Sequence, residues 1–294
     1  MGRHGYPPES RRKVGKKFVV RIGMEGWTAE GASTQAPSPT VHRPQGGWVM
    51  DARLDGIEIK VTIGAEQVQL ARQAFALSGD DGRRRRIYFC EDLTAAAGPA
   101  ALPLLDNGII LRLRQNKGSK DDSTVKLRPF DQARLTPRWR HARTHDGWEF
   151  KVEGDWVGDR HVLAASLVAD QDQVQEVGRG QAPPGRAFSA EQQQFLSDCT
   201  PLRVDLDGLG VLGPVDAVRW KDVRLCDFEA VAEQWDVNNG ALRFLELSIL
   251  VDPAQAVEAQ RRFTDRIAAK GLDPDDRQET KTRMVLEHLA DPRR

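Results

Sequence analysis

The segment GIILRLRQNKGSKDDSTVKLRP, residues 108–129, constrains the fold of this chain more than any other segment. Its side chains alternate with a period of two, which is typical of β-strands. Arg112 and Arg114 share one side of the first strand, and Lys126 and Arg128 share one side of the second strand after a polar turn. The opposite sides are aliphatic. The pattern predicts a β-hairpin with four cations on one face and apolar side chains on the other.

The same separation of charged and apolar faces recurs in other strand-like segments. The charged sides carry Glu58 and Lys60 in GIEIKVTI, Lys151, Glu153 and Asp155 in FKVEGDW, Arg219 and Lys221 in VRWKDVR, and Glu246 in RFLELSIL. A solvated sheet face would explain any one of these strands. Taken together, these strands favour a closed barrel whose lumen is lined by their charged faces. Cations gathered in such a lumen must be neutralised by a bound anion or by carboxylates that lie between them. Two cations about 6 Å apart repel by roughly 3 kcal/mol at an effective dielectric near 20.

Such a lumen is suited to bind a polyanion. Arg matches phosphate oxygens with a planar fork of donors, and Lys provides a point charge. The carboxylates Glu58, Glu153 and Glu246 cannot bind phosphate directly. They are interpreted as partners of the cations or as ligands for Mg²⁺ or Mn²⁺.

The order of the predicted elements indicates the fold class. Strands are predicted over 54–64, 85–92, both halves of the hairpin, 147–157, 216–225 and 242–251. Helices are predicted over 65–77, at AEQQQFL after a capping box of Ser189 and Gln192, from Asp252–Pro253 to Gly271, and from Asp273–Pro274 to Leu289. Hairpins and long links, rather than regular βαβ units, connect the strands. The expected class is therefore a mostly antiparallel α+β fold.

Residues 1–49 differ from the rest of the chain. They carry eight Lys and Arg residues against three Glu, a net charge of +5, and Gly, Pro, Ser and Thr punctuate them. Such a composition predicts a disordered basic tail. An arm that binds nucleic acid is one alternative, and a native start of translation at Met50 is another. Residues 50–294 are predicted to form one domain.

Bulk composition excludes several classes of protein. Equal counts of Lys+Arg and Asp+Glu, 43 each, argue against a general nucleic-acid or membrane binder. The three cysteines are far apart and form no CxxC, which argues against a disulfide framework or a zinc cluster. No apolar run is long enough to span a membrane, and the N-terminus lacks the apolar core of a signal peptide. A cytoplasmic location is expected; the oligomeric state stays open.

Six segments, in order along the chain, resemble the CYTH domain of the triphosphate tunnel enzymes: EIK in the first strand, IYF, LLDNGIILRLR, STVKLRP, FKVE and FLELS. The resemblance extends over residues 51–290. This family includes inorganic and thiamine triphosphatases, class IV adenylyl cyclases and RNA triphosphatases. It implies a closed eight-stranded antiparallel β-barrel with helices packed outside. Its basic residues grip a triphosphate while glutamates hold one or two divalent ions.

The resemblance implies a role for ten residues. The phosphate-binding residues would be Lys60, Arg112, Arg114, Lys126, Arg128, Arg219 and Lys221. The ligands for Mg²⁺ or Mn²⁺ would be Glu58, Glu153 and Glu246. Glu153 and Lys60 would be the catalytic residues, with Glu153 activating the attacking water.

The sequence departs from the family pattern at two positions. The family opens with Glu-x-Glu-x-Lys, and Gly56 stands here in place of the first acid. The neighbouring Asp55 would point to the opposite face of the strand, so it could replace the missing acid only if a β-bulge turned its side chain toward the lumen. In the last strand, Ser248 stands where a second acid often occurs. Each loss removes a candidate metal ligand and keeps a non-catalytic binding protein among the alternatives.

Three function classes follow. The leading hypothesis is metal-dependent hydrolysis of a triphosphate-bearing substrate; its variant is cyclisation of ATP to cyclic AMP and pyrophosphate. The second class is a non-catalytic binder of polyphosphate or nucleotides, and the third is nucleic-acid binding through the tail. GLGVLG at 208–213 matches a dinucleotide-binding pattern but is followed by Pro214 rather than a helix. The run RRRR at 83–86 could contact phosphate at the tunnel mouth, but a solvated run is the favoured interpretation.

Overall fold

A computed structural model describes residues 54–94, 101–142, 144, 145, 147–275 and 280–291. Nine strands lie in this part of the chain: β1 Gly56–Gly64, β2 Arg83–Glu91, β3 Ile109–Asn116, β4 Asp122–Leu127, β5 Trp148–Val157, β6 Arg160–Asp170, β7 Gly210–Leu225, β8 Phe228–Val237 and β9 Leu242–Val251. Seven α-helices accompany them: α1 Val68–Ala74, α2 Pro103–Asp106, α3 Pro137–Arg140, α4 Val174–Gly178, α5 Ala190–Cys199, α6 Ala256–Ala268 and α7 Lys281–Ala290. The predicted tail over residues 1–49 lies outside the described residues.

The strands form one closed barrel in the order β1-β5-β6-β4-β3-β2-β7-β8-β9. A closed barrel with helices packed outside is what the sequence predicts. The prediction of eight antiparallel strands is wrong, because the barrel has nine strands and β1 pairs with β5 in parallel. Closure requires this pairing, since β1 and β5 are both left with a free edge after their antiparallel partners, β9 and β6, are in place. The alternation of side chains within one strand does not show which distant strand pairs with that free edge.

Two strands lack the signal by which the others are recognised. The segment β6 contributes small residues such as Ala164, Ala165 and Ser166, so it shows no contrast between charged and apolar faces. In β8 the charged residues are all acidic. Both strands are paired on each side, β6 with β4 and β5, and β8 with β7 and β9.

Helices cover the outer faces of the strands and form two apolar cores. One core lies between the outer faces of the five strands β2–β6 and the helices α4 and α5. Trp139, Phe150 and Phe195 are at its centre. The capping box predicted for α5 is present, since Ser189 and Gln192 exchange side-chain to backbone hydrogen bonds. The other core joins β1 and β9 to α1 and α6. The barrel therefore turns its aliphatic faces outward, under the helices.

A third apolar core lies at one end of the barrel. Its strand residues include Ile87, Trp235 and Phe244, which have the same strand parity as the charged residues of the lumen. From α7, Val285 and Leu286 pack into this core. One end of the tunnel is therefore closed by apolar side chains, and charged residues line the rest.

The final helix begins later than predicted. Thr280 is its N-cap, and residues 272–275 are not helical. The backbone N–H of Asp275 donates to the carbonyl oxygen of Thr62 in β1, and that of Asp273 donates to the side chain of Gln67. These two bonds hold residues 273–275 in a non-helical conformation, so the cap predicted at Asp273–Pro274 does not form there.

The sequence argues against a disulfide framework and against a membrane-spanning segment. The three cysteines are free thiols, and Cys90 and Cys199 are buried in the core against α4 and α5. None of the described helices combines the length and the apolar character that crossing a bilayer requires.

Candidate functional site

The charged faces of the strands meet in one cavity of about 420 Å³ inside the barrel. The sequence-predicted site residues all line it: Glu58, Lys60, Arg112, Arg114, Lys126, Arg128, Glu153, Arg219, Lys221 and Glu246. Ten Lys and Arg side chains and five Glu side chains of the described chain line this cavity. The excess of cations makes the cavity suited to a polyanion.

Asp155 holds three of the cations together on the wall formed by β1, β4 and β5. Its carboxylate accepts hydrogen bonds from Lys60 at 2.9 Å, Lys126 at 2.8 Å and Arg128 at 2.9 Å. Only 2% of the Asp155 surface is exposed, so the carboxylate requires these partners. Lys60 also contacts Glu58 at 2.8 Å. We refer to Asp155 and its three cations as the Asp155 cluster.

For Asp155 and Lys60, charge interactions outweigh the effect of burial on the pKa. Burial alone would raise the pKa of Asp155, but Lys126, Lys60 and Arg128 hold it well below the usual aspartate value. Burial alone would lower the pKa of Lys60, but Asp155 and Glu58 raise it above the usual lysine value. Burial does lower the pKa of Lys126. The carboxylate of Asp155 and the ammonium of Lys60 are both charged at neutral pH.

The arginines of β3 have weaker partners. Arg112 donates to the hydroxyl of Thr124 at 3.3 Å, and its buried Nε has no hydrogen-bond partner. Burial and the neighbouring Arg114 lower the pKa of Arg112. Arg114 pairs with Asp122 at 2.8 Å. Arg112 is therefore a cation that the protein leaves short of a counter-charge.

Two opposed glutamates form a further cluster on β8 and β9. Glu233 and Glu246 are partners across the two strands, and Lys281 of α7 contacts both carboxylates. Arg85 contacts Glu233 at 3.1 Å. Burial would raise the pKa of Glu233, but Lys281 and Arg85 hold it well below the usual glutamate value.

A similar fold occurs among solved structures. A candidate adenylate cyclase from Bacillus halodurans is 12% identical, with a TM-score of 0.51 over 80% of this chain and 98% of that chain. The likeness shows that the chain shares the fold of this solved structure. No protein-family model and no curated protein matches the sequence.

Other solved structures with lower TM-scores are similar. A candidate adenylyl cyclase from Hippeastrum, described as having a dominant triphosphatase activity, is 16% identical, with a TM-score of 0.48 over 78% of this chain and 94% of that chain. A candidate adenylate cyclase from Vibrio parahaemolyticus is 10% identical, with a TM-score of 0.41 over 78% of this chain and 97% of that chain.

The departure from the family pattern at Gly56 has a structural account. At Gly56, the Cβ of any other residue would lie 2.9 Å from the side chain of Leu250. Asp55 does not replace the lost acid, because its carboxylate accepts a hydrogen bond from the backbone N–H of Val152. The strand register instead places Glu153 of β5 beside Gly56.

The fit of a divalent ion to the tunnel depends on which carboxylates are already neutralised. Among the described residues, no group of three His, Cys, Asp or Glu side chains is arranged to hold a metal ion. Glu246 is paired with Lys281. Glu153 forms no ion pair within the described chain, and burial and Glu58 raise its pKa. Glu58 is paired with Lys60, but Lys60 is shared with Asp155, so Glu58 and Glu153 together keep negative charge. A divalent ion between them would relieve their repulsion, and these two carboxylates fit one ion that is completed by phosphate oxygens and water.

Sequence reasoning missed several residues of the cavity. Asp155 was recognised as part of the charged face but was given no role. Glu233 lies in the strand β8 that was not predicted, and Lys281 lies in a helix. Arg85 lines the cavity and pairs with Glu233, so the interpretation of the run RRRR as solvated is wrong for Arg85, whereas Arg83, Arg84 and Arg86 are exposed. The parity of Arg85 with Ile87 and Phe89 is shared by Arg83, so it could only have narrowed the choice to these two arginines.

Proposed function

We propose that this protein binds a triphosphate-bearing small molecule or inorganic triphosphate in the tunnel and hydrolyses a phosphoanhydride bond. The observation that carries the proposal is the convergence of ten cationic side chains on one cavity inside the barrel. A triphosphate has several negative charges on a chain of three phosphates, and guanidinium and ammonium groups around it can bind the non-bridging oxygens from several sides.

Six cations of the cavity fall into two groups, those without an ion pair and those already bonded to Asp155. Arg112, Arg219 and Lys221 line the cavity without an ion pair to any described residue. Lys60, Lys126 and Arg128 are already bonded to Asp155. We assign the strongest phosphate contacts to the first group. The second group has donors to spare, since a lysine has three N–H groups and an arginine five.

One divalent ion, Mg²⁺ or Mn²⁺, is proposed at Glu58 and Glu153. When bound, it would neutralise charge on the phosphoryl group and make the phosphorus more electrophilic. The raised pKa of Glu153 also suits the role of a base that takes the proton of an attacking water, because a base is most effective when its pKa lies near the working pH. Lys60, held by Asp155 and Glu58, provides a fixed positive charge beside this site.

A second candidate function is binding without catalysis. Gly56 removes one family acid and Ser248 stands at the position of another, while Lys281 neutralises Glu246. A tunnel with fewer available carboxylates would retain triphosphate but hydrolyse it poorly. Cyclisation of ATP is a third outcome, in which a ribose hydroxyl replaces water as the nucleophile and pyrophosphate leaves.

A release assay distinguishes these outcomes. Tripolyphosphate, thiamine triphosphate and ATP are each incubated with the protein and Mg²⁺ or Mn²⁺, and phosphate, pyrophosphate and cyclic AMP are quantified. Multiple turnovers with release of phosphate support hydrolysis, and cyclic AMP with pyrophosphate supports cyclisation. Release below one equivalent for every substrate, with tight binding retained, contradicts catalysis. The variant Arg112→Ala, which removes a cavity cation, controls for a contaminating phosphatase because only activity from the tunnel would fall with it.

A further inference from the structure

Glu233 and Glu246 place two negative charges directly opposite each other inside the barrel. They are cross-strand partners of β8 and β9, and only 9% and 5% of their surfaces are exposed. Like charges at directly opposed positions destabilise a sheet. Buried carboxylates are also costly unless a counter-charge accompanies them. This pair therefore needs a cation between its members.

Lys281 supplies that cation. Its Nζ lies 2.5 Å from Oε2 of Glu233 and 2.8 Å from Oε1 of Glu246. The same ammonium lies 4.8 Å from the centre of the Trp235 ring, within the range of a cation–π interaction. Glu233 has Arg85 as a second partner, but within the described chain Lys281 is the one residue that forms an ion pair with Glu246.

The helix α7 fixes the position of this ammonium. Lys281 is the first residue of α7, and Val285 and Leu286 on the same helix are buried in the apolar core that closes the tunnel. Thr280 and Thr282 flank Lys281 at the cavity wall. A bridge between two buried carboxylates from neighbouring strands is also what a divalent ion provides. Here the bridging charge is covalently attached to the chain and cannot be removed by a chelator.

We propose that Lys281 is a tethered cation that takes the place of a divalent ion at the Glu233–Glu246 pair. The C-terminal helix is then part of the charged site as well as the closure of the barrel. Any metal requirement of the protein comes from the other carboxylate pair, Glu58 and Glu153. The inference goes beyond the proposed hydrolysis, because it holds whether or not the tunnel is catalytic.

The test replaces the ammonium with an uncharged side chain of similar length. In Lys281→Met, Glu246 loses its partner, and we expect the melting temperature in EDTA to fall by roughly 10 °C. Millimolar Mn²⁺ should restore more than half of this loss, and NaCl of equal ionic strength should not. Electron paramagnetic resonance of Mn²⁺ without substrate should show one more bound ion per chain than in the wild type. The wild type controls for the site at Glu58 and Glu153, which both proteins share.

Three further variants locate the effect. Lys281→Arg retains the charge and should bind no additional Mn²⁺. Arg283→Met removes a cation two residues along α7 that pairs with Asp106 and Glu287 at the surface, and it should melt within about 2 °C of the wild type. Adding Glu246→Gln to Lys281→Met removes the repulsion, so the melting temperature should recover in EDTA and the additional Mn²⁺ should be lost.

The proposal is overturned if Lys281→Met binds the same number of Mn²⁺ ions as the wild type, or if NaCl restores its stability as well as Mn²⁺ does. If Lys281→Met alone does not fold, the double variant decides the question. Folding of the double variant without a divalent ion supports the proposal, and its failure to fold contradicts it. None of these results depends on hydrolysis, so they are separate from the test of the proposed function.

Discussion

The two walls of the tunnel carry similar cations but balance them differently. On the wall of β1, β4 and β5, Asp155 bonds to three cations and is almost completely buried. On the wall of β3 and β7, Arg112 has a buried nitrogen without a partner, and Arg219 and Lys221 form no ion pair with any described residue. We call these the paired wall and the unpaired wall. The difference indicates that the paired wall stabilises the empty barrel and that the unpaired wall keeps its donors for the ligand.

Glu153 is the exception on the paired wall, and its replacement should have the largest effect on activity. Glu153→Gln cannot accept a proton, so we expect hydrolysis at saturating metal to fall by about 10²-fold or more. Because burial and Glu58 raise the pKa of Glu153 in the metal-free protein, the rate of the wild type at limiting metal should increase with pH through a midpoint above 4.5, the usual glutamate value. The variant should lose this rising limb. A pH profile with the same limb in both proteins would assign the limb to another group.

Asp155→Asn should have the largest effect on stability. It leaves three buried cations without their shared carboxylate, and we expect the free energy of unfolding to fall by roughly 3–5 kcal/mol. Tripolyphosphate should restore part of the melting temperature, because it supplies the missing negative charge.

The pH dependence gives a second measurement on Asp155→Asn. The folded pKa of Asp155 lies below its unfolded value of 3.8, so its stabilising contribution is complete above that value. The difference in melting temperature between the wild type and the variant should therefore be constant at neutral pH. It should shrink as the pH falls through the lowered pKa. Glu149→Gln, at the half-exposed pair with Lys151, is the control and should change stability little. Equal melting of wild type and Asp155→Asn at pH 7 would show that the cluster is not needed for folding.

Arg112→Ala tests the unpaired wall through affinity. It removes a charge-assisted contact to phosphate, and we expect tripolyphosphate affinity, measured by calorimetry, to fall about 10- to 100-fold. The melting temperature of the empty protein should stay the same or increase, because repulsion from Arg114 is relieved. Lys126→Ala on the paired wall should weaken binding less and destabilise the empty protein more. The reverse order of the two variants would contradict the division into walls.

The metal requirement gives the smallest expected effects. Glu58→Gln should raise the Mn²⁺ concentration for half-maximal activity about tenfold, equivalent to ~1.4 kcal/mol of lost binding. Glu246→Gln should change it less than about twofold, because Lys281 already neutralises Glu246. The sequence analysis assigns both residues as metal ligands. If Glu58→Gln and Glu246→Gln raise the required Mn²⁺ concentration equally, both residues are metal ligands. That result would contradict the conclusion that Lys281 takes the place of an ion at Glu246.

Much of the candidate site could be predicted because its signal is local. Arg112 and Arg114 differ by two positions, as do Glu58 and Lys60, so strand geometry places each pair on one face whatever the rest of the chain does. The capping box of α5 is a similar case, since Ser189 and Gln192 are three residues apart. The cytoplasmic location, the oligomeric state and the tail over residues 1–49 stay predictions.

Other parts of the site have no local signal. Glu233 lies on a strand whose charged residues are all acidic, and Arg85 lies within a run of four arginines in which Arg83 has the same strand parity. Lys281 follows Glu233 by 48 residues and contacts it only because α7 closes the barrel. Sequence patterns cannot rank such contacts, because every charged residue on a strand or helix has many candidate partners at that range.

The amino-acid sequence by itself determined which face of each recognised strand is charged and which is aliphatic, because side chains alternate across a strand at every second residue. Only the tertiary structure decided that β1 lies in parallel beside β5, that Asp155 collects Lys60, Lys126 and Arg128, and that Lys281 reaches the glutamates. The physical reason is that alternation depends on backbone geometry over a few residues, whereas the closure of the barrel depends on pairing between strands that are far apart in the chain.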